Sequence, residues 1–310
     1  MVITVKNNNK ILILLKDTDK FMKKILEYNF KSADIKLIPE SYTPFDREEL
    51  ARLINKKYKQ VIFYDYYEQF YLLLPLISKK VIKKYIINNG IALLSSDYTL
   101  NNMMQLFEYK GRNMIDYIAT TRYDTYVSMK DKIEYITLDY KIKLHPENKD
   151  SIGILGLYYV EYSNFFVQLS AIAMSKIKKA VVLDENIVVK KFGEDFNVEI
   201  EQENDLEKLI AKNKLNLDCS FSEVSIIGFL ISMDAGIPCI IGNTNLLDDD
   251  EKLKKLLVLK SDDDVNEISE KIEDVLAKKK EIEKEYDCWR KKYSDNSKKL
   301  IDKFIELGDC

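Results

Sequence analysis

The stretch Ser220–Asn245, SFSEVSIIGFLISMDAGIPCIIGNTN, decides the fold class of this chain of 310 residues. The segment Leu215–Cys219 just before it is predicted to be a strand. After a polar loop, the pattern over Glu223–Ala235 is that of a helix. Gly236 and the proline that follows it stop this helix before an apolar run, Cys239–Ile241. The stretch therefore predicts a strand, a loop, a helix and a second strand in succession.

The start of the predicted helix is a candidate ligand site. The first turn of a helix has unpaired N–H groups and a partial positive charge, and both suit phosphate groups or sugar hydroxyls. Glu223 stands at this start, and a carboxylate there can equally be an ordinary helix-start residue. The residues alone leave both interpretations open.

Strands and helices alternate on both sides of this stretch. Short apolar runs of strand length are typical of buried parallel strands, and segments with helical spacing separate them. The predicted strands are Ile11–Leu15, Asp34–Ile38, Gln60–Tyr64, Lys84–Ile87 with Ile91–Leu94 after an Asn89-Gly90 turn, Ile133–Leu138, Ser151–Leu155, Lys179–Leu183, Leu215–Cys219 and Cys239–Ile241.

The polar segment Lys143–Asp150, KLHPENKD, is predicted to link two domains. Residues 1–145 would form one Rossmann-like lobe, and residues 146–310 a second one with a helical tail. The tail, Val265–Leu307, is charged and has apolar helical faces. The fold class expected is therefore α/β, with two doubly wound lobes facing each other across a cleft.

Residues 220–245 resemble the donor-sugar motif of retaining glycosyltransferases of the GT-B fold. In that motif Ser-x-Glu or Ser-Glu is followed after seven residues by a second Glu, and then by a Gly-x-Pro turn. Ser222 and Glu223 match its first half. The turn Gly236–Asn243, GIPCIIGN, is similar to that of a bacterial subgroup that builds surface glycans. The second glutamate falls on Ile231 and is lost.

The start of the second lobe resembles the same subgroup. Ser151–Gly156, SIGILG, matches its first strand and glycine loop, and Asn164 begins the helix that follows. The subgroup has a basic residue just before this asparagine and another three residues earlier. Here these positions are Ser163 and Val160.

The resemblance implies transfer of a sugar from a nucleotide-sugar donor to a glycan, lipid-linked or protein acceptor. Glu223 would hold donor hydroxyls and is the catalytic candidate. Donor binding would also involve Gly156, Asn164, Ser222 and Asn243. No metal or other cofactor is expected, because GT-B enzymes stabilise the departing diphosphate with basic residues and helix N-termini. The first lobe would face the acceptor.

The missing residues keep a second hypothesis open. Loss of both basic positions removes the expected charge stabilisation, and Ile231 cannot hold a donor hydroxyl. Lys190, with Lys191 beside it, could substitute, or the two lysines could be ordinary surface residues. The alternative to a retaining hexosyltransferase is a non-catalytic glycosyltransferase-like subunit that binds a partner enzyme, glycan or peptide.

Other candidate residues are better explained by structural roles. Asp248–Asp250 and Asp262–Asp264 match an Asp-x-Asp metal motif trivially and are predicted to cap helices. His145 lies in the predicted linker and could act as a base. The tyrosine-rich stretch Tyr64–Tyr71 could offer stacking platforms, and packing of a strand on a helix explains it as well.

Charge and composition indicate the environment. Residues 1–145 contain 24 Lys and Arg against 17 Asp and Glu, and residues 146–310 contain 24 against 34. With net charges of +7 and −10, the first lobe could contact a membrane surface or a phosphorylated acceptor, or its excess lysines could be ordinary solvated surface residues. We expect a cytoplasmic protein that is at most peripheral to the inner membrane face, since no apolar run is long enough to span a membrane and the cysteines have no disulfide spacing. It could have protein partners, and no nucleic acid is expected, since no phosphate-binding loop occurs.

Overall fold

The chain consists of two compact units in this computed structural model, which describes residues 10–88, 97–156, 163–183, 188–220, 226–242 and 246–308. The first unit takes the chain up to Asp139 and again from Asn296 onwards. The second unit is Tyr140–Asp295. The last turns of the tail, predicted as part of the second lobe, therefore belong to the first unit.

The first unit contains a parallel sheet with helices between its strands. Its strands are β1 (Ile11–Lys16), β2 (Ala33–Ile38), β3 (Gln60–Tyr64), β4 (Ile82–Ile87), β5 (Tyr117–Thr120) and β6 (Glu134–Tyr135). Its helices up to Asp139 are α1 (Lys20–Asn29), α2 (Pro44–Lys57), α3 (Glu68–Leu73), α4 (Asp97–Gly111) and α5 (Tyr123–Met129). The strand order is β2-β1-β3-β4-β5-β6. The chain thus adds β2 on one side of β1 and all later strands on the other.

The second unit repeats this architecture. Its strands are β7 (Lys149–Ile154), β8 (Lys179–Leu183), β9 (Glu199–Glu203), β10 (Asn213–Asp218) and β11 (Cys239–Ile241). Its helices are α6 (Phe165–Met174), α7 (Val188–Phe196), α8 (Leu206–Lys212), α9 (Ile226–Asp234), α10 (Glu251–Leu257), α11 (Val265–Ala277) and the first part of α12 (Lys279–Glu306). The parallel order is β11-β10-β7-β8-β9.

Local sequence signals account for many of these elements. The continuous apolar run of β3 is buried at every position, as expected for a parallel strand covered on both faces. Helix α2 begins with a complete capping box, in which the Thr43 side chain and Asp46 cap each other's backbone N–H groups, and Pro44 follows the cap. None of the described helices combines the length and the apolar composition that a membrane span requires.

Two parts of the sequence prediction differ from the structure, and a third is not tested by it. Ile133–Leu138 was predicted as a closing strand, but only Glu134 and Tyr135 pair with β5. The predicted linker Lys143–Asp150 ends earlier, since its last two residues open β7. The predicted segment Ile91–Leu94 and its Asn89-Gly90 turn lie outside the described residues. The predicted helical tail is confirmed and consists of two helices, α11 and α12.

A buried lysine joins the end of the tail to the first unit. Lys84 of β4 is fully buried, and its ammonium group donates to the carbonyl oxygens of Phe304 and Ile305, at 2.7 Å each. Gln60 donates to the Ile305 carbonyl as well, at 3.0 Å. Carbonyls in the last turn of a helix have no partner within the helix, and a cation suits the negative end of its dipole. Lys84 therefore fixes the C-terminal turn of α12 on the first sheet.

A buried amide network occupies the centre of the second unit. Asn213 accepts a hydrogen bond from Ser151 at 2.7 Å and donates to Asn216 at 3.1 Å. Asn216 in turn donates to the Ser232 hydroxyl at 2.8 Å. These side chains fit only because Gly153 has none: a Cβ atom there would lie 2.1 Å from Asn216 Oδ1.

We expect Lys84→Met to destabilise the protein by about 2–3 kcal/mol, because two carbonyl groups of a helix end lose a charged donor in a buried place. Lys303→Met is the control, since Lys303 is exposed and its 3.4 Å ion pair with Glu134 is on the surface. That variant should stay within about 0.5 kcal/mol of the wild type. Urea unfolding of both variants measures the difference, and equal effects would contradict the assigned role of Lys84.

We expect Gly153→Ala to lower the free energy of unfolding by about 1–3 kcal/mol, since the added methyl group displaces two buried amides. Gly111→Ala is the matched control, because a Cβ atom at Gly111, the last residue of α4, has no neighbour within 4 Å. That substitution should be neutral or slightly stabilising. Thermal unfolding followed by circular dichroism compares the two variants.

Candidate functional site

The strand order of the second sheet reverses between β7 and β10. From β7 the chain moves outward through β8 to β9, and it then returns to the other side of β7 with β10. In open α/β sheets such a switch point leaves a crevice beyond the carboxyl ends of the two strands, where ligands bind. The predicted glycine loop follows β7 here, and the start of the donor-motif stretch follows β10. We call this place the second-unit edge.

Gly156 permits a close approach of two chain segments at the second-unit edge. A Cβ atom on Gly156 would lie 2.8 Å from the Cβ of Ser163. Ser163 is buried and stands just before helix α6. The end of β7 and the start of α6 are therefore packed against each other, which places the N–H groups of the first turn of α6 at this edge.

Asn164 starts helix α6 in an unusual backbone conformation. Its φ angle is 55°, in the left-handed region that asparagine tolerates better than most residues. Its side chain does not cap the helix. The amide instead donates a hydrogen bond to the carbonyl of Asp262, before α11, and so joins two loops of the edge. Asn164 is 5% exposed, which makes it first of all a positioning residue.

Gln168 is a further residue of this site, and its role was not predicted from the sequence. It is fully buried one turn into α6. Its amide nitrogen donates to the Ser163 carbonyl at 2.8 Å, and its amide oxygen accepts from the Cys219 N–H at 3.3 Å. Gln168 thus fixes the start of α6 to the end of β10. The available signal was an amide side chain on a helix whose other residues, apart from Ser170, are apolar.

Gly242 brings the last strand to the same place. Its N–H donates to the Asp218 carbonyl at 3.2 Å, and a Cβ atom on it would lie 2.8 Å from the Ser220 carbonyl oxygen. The Asp262 carboxylate would be 3.0 Å from that Cβ atom. The ends of β10 and β11 therefore meet beside an acidic side chain. Burial, with Asp218 and Asp262 nearby, holds the pKa of the Cys219 thiol well above its usual value, so this thiol is not a nucleophile.

The structure brings together two of the predicted donor-binding residues, Gly156 and Asn164. Ser222, Glu223 and Asn243 lie outside the described residues, although Ser220 and Gly242 before them are at this edge. Lys190 is exposed in the first turns of α7, the helix after β8. Its role as a substitute for the missing basic residues stays a prediction.

The competing candidate residues have structural roles. Asp250 and Asp264 cap helices α10 and α11, as predicted. Asp249 accepts a hydrogen bond from the Trp289 indole at 3.0 Å. No cluster of potential metal ligands occurs among the residues that the structure describes. His145 is exposed.

A second group of polar side chains lies at the carboxyl edge of the first sheet, which we call the first-unit edge. Asp65 follows β3 directly and has a φ angle of 61°, and its carboxylate accepts the Tyr66 N–H at 2.9 Å. Burial, and then Asp19, raise the pKa of Asp65 to about 6, although Arg122 and the N–H bond act in the opposite direction. The charges of Asp65, Asp19 and Arg122 all act on the buried Tyr64 hydroxyl.

Comparison with known proteins confirms the fold. HepE of Anabaena, solved with UDP and glucose, superposes with a TM-score of 0.69 at 10% sequence identity, over 96% of this chain and 98% of that one. A glycosyltransferase of Rickettsia africae gives 0.62 at 11% over 97% and 98%. Sucrose-phosphate synthase of Thermosynechococcus elongatus gives 0.66 at 10% over 96% of each chain. No protein-family model and no curated protein matches the sequence.

These likenesses show that the chain has the GT-B type of fold, with two Rossmann-like α/β lobes and a helical C-terminal region. The predicted fold class is therefore confirmed. At this level of identity the likeness concerns the fold alone.

The raised pKa of Asp65 predicts how stability depends on pH. The folded-state pKa of about 6 exceeds the unfolded value of 3.8, so the folded state binds more protons between these values. Stability from this group therefore increases as pH falls from about 7 to about 4. Asp65→Asn removes the unfavourable charge and retains a side chain that tolerates positive φ.

We expect Asp65→Asn to be more stable than wild type by about 1–2 kcal/mol at pH 7.5, since partial exposure reduces the full effect of the shift. At pH 4.5 the difference should be much smaller. Asp131→Asn, on an exposed turn of the same unit, is the control and should change stability equally at both values. Urea unfolding at the two pH values measures this, and a destabilised Asp65→Asn at pH 7.5 would contradict the assignment.

Proposed function

We propose that this protein is a glycosyltransferase that uses a nucleotide-sugar donor, bound at the second-unit edge. The observation that carries the proposal is the convergence of Gly156, the start of α6, Ser220 and Gly242 at the switch point of the second sheet. Structures with the same fold over nearly the whole chain contain UDP and glucose, or UDP-glucose, in HepE. UDP-glucose is accordingly the first donor to test.

The site offers backbone N–H groups for the donor phosphates, although the Asp262 carboxylate lies beside Gly242. Backbone segments approach each other closely at Gly156 and Gly242, and the start of α6 supplies N–H groups with partial positive charge. Lys190 is proposed as the source of positive charge for the departing diphosphate, in place of the basic residues absent at positions 160 and 163. From the motif resemblance we also propose that transfer retains the stereochemistry of the donor sugar and that the acceptor is a surface glycan.

The proposed role of Glu223 makes the donor site testable. If Glu223 holds hydroxyls of the donor sugar, Glu223→Ala should weaken UDP-glucose binding about tenfold, the equivalent of one lost hydrogen bond to a charged group, and leave UDP binding unchanged. Isothermal titration calorimetry with UDP, GDP and UDP-glucose measures this. Glu270→Ala, an exposed residue of α11, is the matched control.

The possible results of the titrations have different consequences for the proposal. UDP-glucose binding that is weakened by Glu223→Ala and not by Glu270→Ala supports a working donor site. Equal loss of UDP and UDP-glucose in Glu223→Ala contradicts its role on the sugar. No binding of any of these nucleotides to the folded wild type would overturn the transferase proposal and favour the non-catalytic subunit.

A further inference from the structure

Two buried polar groups at the first-unit edge lack a hydrogen-bond partner. Tyr64 is only 2% exposed, and neither its hydroxyl nor Nη1 of Arg122 finds a partner within the described part of the chain. The Nε atom of Arg122 does have one, the Asn88 carbonyl at 2.9 Å, which fixes the orientation of the guanidinium group. Buried polar groups are nearly always paired, so a ligand that pairs these two groups is a direct explanation.

Tyr64 and Asp19 lie at the topological switch point of the first sheet, and Arg122 follows β5 at the same edge. Tyr64 ends β3, Arg122 stands between β5 and α5, and Asp19 lies in the connection from β1 to α1. The chain moves from β1 to β2 on one side and continues with β3 on the other. This is the geometry in which open parallel sheets bind their ligands.

The carboxylates of Asp19 and Asp65 both act electrostatically on the Tyr64 hydroxyl. Asp19 is the N-cap residue of α1, yet its side chain makes no cap hydrogen bond. Burial is the largest factor that raises the pKa of Asp19, as it is for Asp65. Both groups are therefore placed at some cost to stability, which is a pattern typical of ligand sites.

The chemistry of the edge selects among ligands. The Tyr64 hydroxyl and Arg122 can donate hydrogen bonds, and Asp19 and Asp65 can accept them. A sugar hydroxyl both donates and accepts, so it can pair with either kind of group. A phosphate group, by contrast, accepts only and would meet two carboxylates. Lys16, at the end of β1, is already paired with Glu40 at 2.7 Å.

We propose that the first-unit edge is an acceptor site that takes an uncharged sugar in preference to a phosphorylated one, with Tyr64, Asp65 and Arg122 binding its hydroxyl groups. The role as an acceptor site rests on the proposed function, whereas the preference for uncharged polyols rests only on the side chains of the first-unit edge. The local charge is thus opposite to the basic average of residues 1–145, which the sequence linked to anionic partners.

Arginine side-chain NMR of the full chain provides the test. The sequence has only five arginines, so the Nε–H signal of Arg122 can be assigned with an Arg122→Lys sample. Methyl glycosides of glucose, galactose and N-acetylglucosamine are titrated into the ¹⁵N-labelled protein, and glucose 6-phosphate and inorganic phosphate serve as anionic probes. We expect at least one methyl glycoside to shift the Arg122 signal, and the anionic probes to bind at least tenfold more weakly.

Asp65→Asn provides the matched variant. It should weaken binding of the methyl glycoside about tenfold while the protein is at least as stable as wild type at pH 7.5, so misfolding cannot explain the loss. Asp131→Asn should bind like wild type. If Asp65 had a merely structural role, Asp65→Asn would not bind the glycoside more weakly while being more stable than wild type.

Three outcomes would overturn the inference. They are no shift of Arg122 with any methyl glycoside, a stronger response to the phosphorylated probes, or unchanged glycoside binding in Asp65→Asn. The calorimetric titration with UDP-glucose tests the proposed donor site independently of the sugar site. If Asp65→Asn loses glycoside binding but still binds UDP-glucose, the inference is supported. If the wild type binds a glycoside but none of the nucleotides, the sugar site stands and only its role as an acceptor site is removed.

Discussion

Parallel pairing of strands is the constraint on which the rest of this structure depends. Consecutive parallel strands need a crossover, and here a helix usually provides it, so the carboxyl ends of all strands in a sheet meet at one edge. Where the strand order reverses, two connections leave in opposite directions and open a crevice. Both sheets reverse once, between β1 and β3 and between β7 and β10. Each unit thus has one edge at which distant parts of the sequence are brought together.

The two edges are built from different materials. At the second-unit edge, glycines allow backbone segments to approach closely, and amide side chains such as Gln168 tie the segments together. The backbone N–H groups in such an arrangement are held in fixed positions, which suits the binding of a donor that contains a diphosphate. The first-unit edge instead presents ionisable and hydroxyl side chains, whose unfavourable burial makes sense in the presence of a ligand. The difference fits the proposal that the two edges bind substrates of different charge.

The residues that position the second-unit edge are buried and make specific hydrogen bonds, whereas Lys190, the proposed source of positive charge, is exposed. Asn164 and Gln168 illustrate the first kind, because each joins a helix start to a loop far away in the sequence. Lys84 has a comparable role outside the sites, since it holds the end of α12 on the first sheet. Isolated polar residues in apolar segments therefore mark places where the fold is fixed.

The sequence by itself determined the α/β class, strands such as β3, β8 and β11 at their observed bounds, and the likeness to the donor motif, because continuous apolar runs and turn residues are local signals. It did not reveal β5, only four residues long, or β9, whose sequence EIEQE is mostly charged, since pairing with neighbouring strands decides both. The clustering of Tyr64, Asp65 and Arg122, and the role of Gln168, were decided only by the tertiary structure. These residues are far apart along the chain, and burial at a shared sheet edge gives them their hydrogen-bonding and charge properties.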